Sequence, residues 1–338
     1  MTDARLRVTQ AGPLVTIQDA GRQRMLRYGV PASGPMDRAA FAVANALLGN
    51  LASAPALEVS LGGLTVECIE GNVTVAVAGG GFRVTIGDTL REAWSVVTLH
   101  AGSRLSIRSG PWGSWCYLAF AGTLQARSWL DSRSTHAASG LGGGKVEAGQ
   151  ILSIGDADTR PERERVLACP PWLAPGKRLA IVLGPQDRHF ARTSLAALAN
   201  EPFTLTDAFD RMGVRLSGPS LTPAAVLDMP SEALVRGSIQ VAGDGVATVL
   251  LADHQTTGGY PKIATVVSSD IDRLAQMRSG DTVRLVPVPP ESAVEHARSH
   301  ARRLAALLQD LVRPPETLLV RLLSSNLIDG VVSGHEGE

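Results

Sequence analysis

Two apolar, β-branched runs, Val246-Ala247-Thr248-Val249-Leu250-Leu251 and Ile263-Ala264-Thr265-Val266-Val267, read as strands of a covered sheet. Between them stand Asp253, His254, Gln255, Thr256, Thr257, Gly258, Gly259, Tyr260 and Pro261, a stretch dominated by uncharged hydrogen-bonding groups. Gln and Thr supply donors and acceptors without net charge, Gly258-Gly259 lets the backbone approach a ligand closely, and Pro261 holds Tyr260 extended. Such a lining suits an amide, lactam or ureido group, whose C=O and N–H need a donor and an acceptor side by side. An ordinary hairpin loop with a Gly-Gly turn accounts for the same residues.

Elsewhere the pattern is mostly strands and tight turns. Residues 5–18 open with an alternating strand or pair broken at Gly12-Pro13, and 73–77, 84–86, 94–99 and 115–120 read as further strands. One phrase recurs, at 101–107, 148–154 and 279–285: a Gly-containing turn feeding an alternating strand. Its presence in both halves points to two β-barrel-like domains in a mainly β chain with a few helices. A helix is expected over Met36 to Leu48, with Phe41, Ala44, Leu47 and Leu48 on one face, Asp37 at its positive end and Asn45 as a satisfied core amide. A second runs over about 187–199 with Ala191, Leu195 and Leu198 inward, and Asp270 caps a short third containing Ile271 and Leu274. Val294, Ala297, Ala301, Leu304, Leu308 and Leu311 step by three and four toward Pro314-Pro315, an amphipathic packing or subunit-contact helix, and Leu318 to Val332 adds apolar material. The expected organisation is a β-rich domain over 1–160, a Pro-rich linker over 161–178, a barrel over 179–290 and a helical tail over 291–338.

Bulk numbers narrow the function classes. At 338 residues two domains are the default, and 35 Gly, 20 Pro and only 4% aromatic residues suit a turn-rich β protein. Lys+Arg and Asp+Glu are each 32, which argues against nucleic acid or an anionic membrane as main partner. Cys68, Cys116 and Cys169 form no CxxC pair, and neither a signal-peptide core nor a membrane-length apolar run is evident, so a cytoplasmic address is expected.

Other chemistry is thin. Asp131, Ser132 and His136 lie close in sequence but without a GxSxG elbow, so a hydrolytic triad is not the expectation. Arg133, flanked by hydroxyls, reads either as a carboxylate or phosphate clamp or as a loop brace on backbone carbonyls. Gly140 to Lys145 fails the phosphate-loop pattern at Ser139 and Val146, and no GxGxxG follows a strand, so no ATP site is expected in this chain. His189 reads as a cap or surface residue. His296 and His300 are spaced as a metal pair, but Ala297 stands where a Glu is needed, and no metal site is expected.

The segment ADHQTTGGYP (252–261) resembles the ADRQTTGGYP signature of the biotin-dependent carboxyltransferase-like family that contains KipA, the 5-oxoprolinase C subunit and allophanate hydrolase subunit 2. TIQDAGRQR (16–24), GVPASGPMDRAAFAVANALLGN (29–50), YLAFAG (117–122), SRST (132–135), RMGVRLSGP (211–219), GSIQVAGDG (237–245) and SGDTVRL (279–285) extend the likeness in order. The resemblance implies a cyclophilin-like fold for at least one half, here the C-terminal one, and a surface shared by the 16–24 and 29–37 blocks. It carries over Ser132, Arg133, Ser134, Thr135, Arg211 and Gln240 as binding candidates beside His254, Thr256, Thr257, Gly258 and Gly259. Expected roles are lactam hydrogen bonding by Gln255, Thr256 and Thr257, stacking or proton shuttling by Tyr260, base or orienting work by Asp253, and carboxylate binding by Arg133 and Arg211. His254 departs from the family's usual Arg, replacing a permanent charge by one that titrates near neutrality. The activity implied first is that of a 5-oxoprolinase component, working with a KipI-like B component and a LamB/YcsF-like A component in a complex that binds ATP. A carboxyltransferase acting on urea or an amide, with biotin carried by another protein, and a non-catalytic KipA-type regulator of a KipI-like partner are the alternatives.

Overall fold

The computed structural model describes residues 2–223 and 229–313. Alternation and continuous apolar runs both become strands, and their placement explains the difference between them. The first half packs two antiparallel sheets around one core. The seven-stranded sheet runs Thr123–Leu124, Ile151–Ala157, Thr2–Ala11, Leu64–Glu70, Arg104–Arg108, Arg83–Ile86 and Thr89–Glu92. Its partner runs Arg165–Val166, Ser95–Leu99, Val73–Ala78, Trp115–Phe120, Ala56–Ser60 and Thr16–Gln18. Strands such as Arg104–Arg108 bury only alternate residues. Val73–Ala78 and Trp115–Phe120 are buried throughout, because helix α1 (Arg38–Leu48) packs against both.

In the second half seven strands close into a barrel: Arg178–Leu183, Lys262–Val266, Ser238–Val241, Ala247–Leu250, Gly213–Ser217, Pro202–Phe209 and Thr282–Pro287, the last running parallel to the first. Leu179, Ile181, Val214, Ile239, Val249 and Ile263 fill it, and Met36 and Trp115 of the first half join that core. Of the two barrel-like halves expected, the second closes completely and the first remains a pair of sheets. The recurring turn is structural in each copy: Gly102, Gly149 and Gly280 hold φ of 88, 91 and 87°, a region that other residues reach only with strain.

The helices need small corrections. Asp37 is the N-cap of α1, accepting from Ala40 N at 2.9 Å, and Asn45 is a satisfied core amide, donating to Ala54 O and accepting from Asn50 Nδ2. The second helix, α2, starts later than expected, at Arg192–Asn200 after a short 3-10 turn, so that Ala191 is exposed and Leu198 carries the buried face. In α3 (Ser268–Ala275) Asp270 is not the cap but a first-turn residue whose carboxylate accepts from Ala180 N. Helix α4 (Pro290–Val312) packs on α1, on α3 and on the Arg178–Leu183 strand, with Ala293 and Leu311 buried and Leu304, Leu307 and Leu308 half-buried. Val294 and Ala301 of the expected stripe are exposed, the contact face having turned toward Ala293. Pro314-Pro315 and the apolar stretch Leu318 to Val332 lie outside the described residues. Among the described residues no helix is long and apolar enough to cross a membrane.

Within 161–178, Arg165–Val166 pairs with Ser95–Leu99, and Arg163 and Arg165 donate to the Val312 and Leu311 carbonyls at the end of α4. The segment is therefore anchored along much of its length to the first half.

Candidate functional site

The blocks singled out in the sequence meet at the seam between the two halves. Arg211 precedes the Gly213–Ser217 strand and is 1% exposed. Its guanidinium forks onto Asp253, with Nε to Oδ2 at 2.9 Å and Nη2 to Oδ1 at 3.0 Å, while Nη1 reaches Glu58 and Nη2 also donates to Gly34 O at 2.7 Å. Glu58 in turn accepts from Met36 N and from the Tyr117 hydroxyl. Burial alone would lower Arg211, but the charges of Glu58 and Asp253 raise it above its ordinary value. Asp253 Oδ2 also accepts from Ala137 N. Burial raises the Asp253 carboxyl, yet Arg211 outweighs burial and holds it below the usual carboxylate range. This corrects two expectations. Arg211 has no guanidinium edge left for a substrate carboxylate, and Asp253, ionised and occupied on both oxygens, is a structural counter-ion rather than a base.

The Ser132-Arg133-Ser134-Thr135 block is also turned inward. Asp19 Oδ1 accepts from Ser132 Oγ, Ser134 Oγ and Gly21 N, and Oδ2 from Arg133 N at 2.6 Å. Burial raises Asp19, but these bonds outweigh it and lower the carboxyl overall. Thr135 Oγ1 donates to the backbone carbonyl of Ile17 at 2.8 Å and accepts from Gly144 N at 2.9 Å. Ser132, Ser134 and Thr135 are therefore buried clasps on the 16–22 loop, not substrate ligands. Arg133 is half-buried, and its Nε meets no hydrogen-bond partner among the described residues. Arg22, 1% exposed and stacked on Trp129, likewise keeps Nη1 unpartnered.

The open part of the site lies on the outside of the barrel. A cleft of about 660 Å³ runs over the Gly213–Ser217, Ala247–Leu250 and Ser238–Val241 strands, with Gln240, Gln255 and Tyr260 at one end. Gln240 is nearly buried, and its Oε1 accepts from Gln255 Nε2 at 3.2 Å while its Nε2 donates to Tyr260 O. Gly258 packs against both amides: a Cβ there would sit 2.8 Å from Gln240 Nε2. Thr257–Gly258 pairs with Glu232–Ala233 as a small ribbon, which points Thr257 to solvent and gives the Thr256 carbonyl to Leu234 N. Thr256 and Gly259 are half-buried on that ribbon, away from the cleft lining, and Tyr260 is 56% exposed at the rim.

His254 does not face the cleft. It is 3% exposed, and its Nδ1 lies 2.6 Å from Gln255 O, a carbonyl that can only accept, so Nδ1 is the donor. Burial first, and then Arg236, lower its pKa. Among the described residues no group of three or more metal-ligating side chains assembles.

Several residues of this arrangement were not read from the sequence. Glu58 had a visible signal, an acid inside the apolar run Ala56-Leu57-Glu58-Val59. Arg215, the one cation lining the cleft among the described residues, had none, since an outward Arg in an alternating strand is ordinary.

A closed barrel fused to two packed sheets, with a buried Arg-carboxylate seam and an amide-lined cleft, is a two-part carboxyltransferase-type architecture. The chain belongs to the family described as carboxyltransferase domain, subdomain A and B, whose model matches residues 28–287. It is similar to the 5-oxoprolinase C subunit of Escherichia coli (strain K12), at 33% identity over 300 residues that cover 88% of this chain and 96% of that one. The crystal structure of TTHA0988 matches with a TM-score of 0.75 and 32% identity, over 84% of this chain and 56% of that chain. That of the K. lactis urea amidolyase matches with a TM-score of 0.78 and 26% identity, over 90% of this chain and 20% of that one. This chain thus spans about half of the first of these two solved proteins and a fifth of the second.

Proposed function

We propose that this chain is the C subunit of a cytoplasmic, ATP-dependent 5-oxoprolinase complex, which converts 5-oxoproline, ATP and water to glutamate, ADP and phosphate. The observation that carries the substrate assignment is the Gln240–Gln255 amide pair at the end of the barrel cleft. Each amide has two donors and two acceptor positions, and the pair uses only some of them on itself; Gln255 Oε1 has no partner among the described residues and can accept from a lactam N–H. Tyr260 closes that end and can stack on a small ring. The E. coli relative supports the same reading, because the match spans 96% of that subunit and 88% of this chain. ATP supplies the driving force for opening a stable amide and is bound, in this reading, by the complex that this chain forms with a KipI-like B component and a LamB/YcsF-like A component. This chain orients the lactam and excludes water from its buried side.

Reconstitution tests it: glutamate release from 5-oxoproline with ATP should require this chain as well as its companions. Release that is unchanged when the chain is omitted contradicts the assignment. The family description and the likeness to a urea amidolyase favour one second reading, carboxyl transfer to urea or another amide from biotin carried by a separate protein. Carboxylation of urea by the chain with a biotin carboxylase, and no glutamate release, would select it.

A further inference from the structure

The barrel register places three side chains in one row across the cleft floor: Arg215 opposite Thr248, and Thr248 opposite Gln240. Directly paired residues share a face, so all three project outward. Neighbouring strands lie about 4.8 Å apart, which sets Arg215 and Gln240 about 10 Å apart at the backbone. A guanidinium and an amide reader reaching toward each other over Thr248 span a small ligand that carries an amide at one end and an acid at the other. We propose that Arg215 binds the ligand's carboxylate while Gln240 and Gln255 bind its amide edge, making the cleft selective for amide- or lactam-bearing small acids over uncharged amides. This rests on the reading of the cleft as the lactam site, and it gives the carboxylate the partner that Arg211 cannot be.

Asp244 holds Arg215 in the meantime. Its Oδ2 accepts from Arg215 Nη2 at 2.6 Å and its Oδ1 from Val246 N at 3.0 Å. The two side chains are 48 and 50% exposed, so the pair is screened and easily exchanged. A ligand carboxylate takes Asp244's place on the guanidinium while Asp244 keeps the Val246 N–H. Asp210 is occupied by the N–H groups of Met212 and Gly213. With Asp207 it gives the rim a negative field that opposes any anion not in contact with Arg215.

Calorimetric titration of the full chain with 5-oxoproline and with 2-pyrrolidinone, the same lactam without the acid, tests the assignment. The wild type should bind 5-oxoproline about tenfold or more tighter. Arg215→Gln should remove that preference and leave 2-pyrrolidinone binding unchanged, and Asp244→Asn should tighten 5-oxoproline binding. Equal affinity of the wild type for the two compounds, no binding of either, an unaltered Arg215→Gln, or a weakened Asp244→Asn each overturns it. If Arg215→Gln binds normally while Gln255→Ala abolishes ATP-dependent glutamate release, the lactam reading stands and Arg215 is not its acid partner. If the complex releases no glutamate from 5-oxoproline, the lactam reading itself falls.

Discussion

Arg211 touches two carboxylates and a carbonyl at 1% exposure, which decides its role more firmly than its place in a shared motif does. Removing one member of a buried ion-pair network leaves the others charged, unpaired and dry. Arg211→Ala should therefore cost about 3–5 kcal/mol of stability, measured by urea unfolding. A cost below about 1 kcal/mol would mean that Glu58 and Asp253 do not depend on it. At this scale the sequence was informative where residue type was unusual for its setting. Gln240, on an apolar strand, and Gln255, in an uncharged loop, both arrive at the cleft. It misled where a polar residue had an internal partner far along the chain. Ser132 and Ser134 bond to Asp19, well over a hundred residues away, and no local spacing shows that pairing.

Helix α1 concentrates the chemistry of the element scale at its first residue boundary. Burial, and then the negative charge of Asp272, push the Asp37 carboxyl up to about 7, against the Ala40 N–H, Gln276 and Arg38, which favour its ionised form. The ordinary value is 3.8, so between roughly pH 4 and pH 7 the folded chain holds a proton that the unfolded chain has released. Stability from this group is thus fully present at the acidic end of that window and declines as pH rises through it. Asp37→Asn should flatten the decline, read as melting temperature against pH for variant and wild type together. Parallel curves would contradict the assignment. The helix itself was legible from periodicity and its Asp-to-Gly boundaries, and the repeated Gly turns were legible from their spacing. The contact face of α4 was less so, because the sequence spacing puts Val294 on the apolar stripe, whereas α4 meets α1, α3 and the Arg178–Leu183 strand with Ala293 buried and Val294 exposed.

Across the whole molecule the two halves are joined by polar bonds as well as by Met36 and Trp115. Gln276 uses all of its hydrogen-bonding capacity there: Oε1 accepts from Ser114 N and Trp115 N, and Nε2 donates to Asp37 and to Trp115 O. Arg278 donates to the Gly110 and Gly113 carbonyls, and Arg236 to those of Pro35 and Met36. Gln276→Leu should lower stability by about 2–4 kcal/mol, since it leaves buried backbone groups unmet. Retention of full stability would show that the apolar contacts alone hold the seam. The barrel over 179–290 was expected from the recurring turns and the resemblance, but the pairing that closes it was not, because closure depends on Arg178–Leu183 pairing in parallel with Thr282–Pro287, and alternation specifies a strand's faces but not its neighbour.

The central claim is that the glutamine pair on the barrel cleft holds the lactam, and ATP-dependent glutamate release by the reconstituted complex carrying Gln255→Ala tests it most directly. The account predicts that kcat/KM for 5-oxoproline falls about tenfold or more while the chain keeps its fold and its place in the complex. Wild-type turnover by that variant would contradict it.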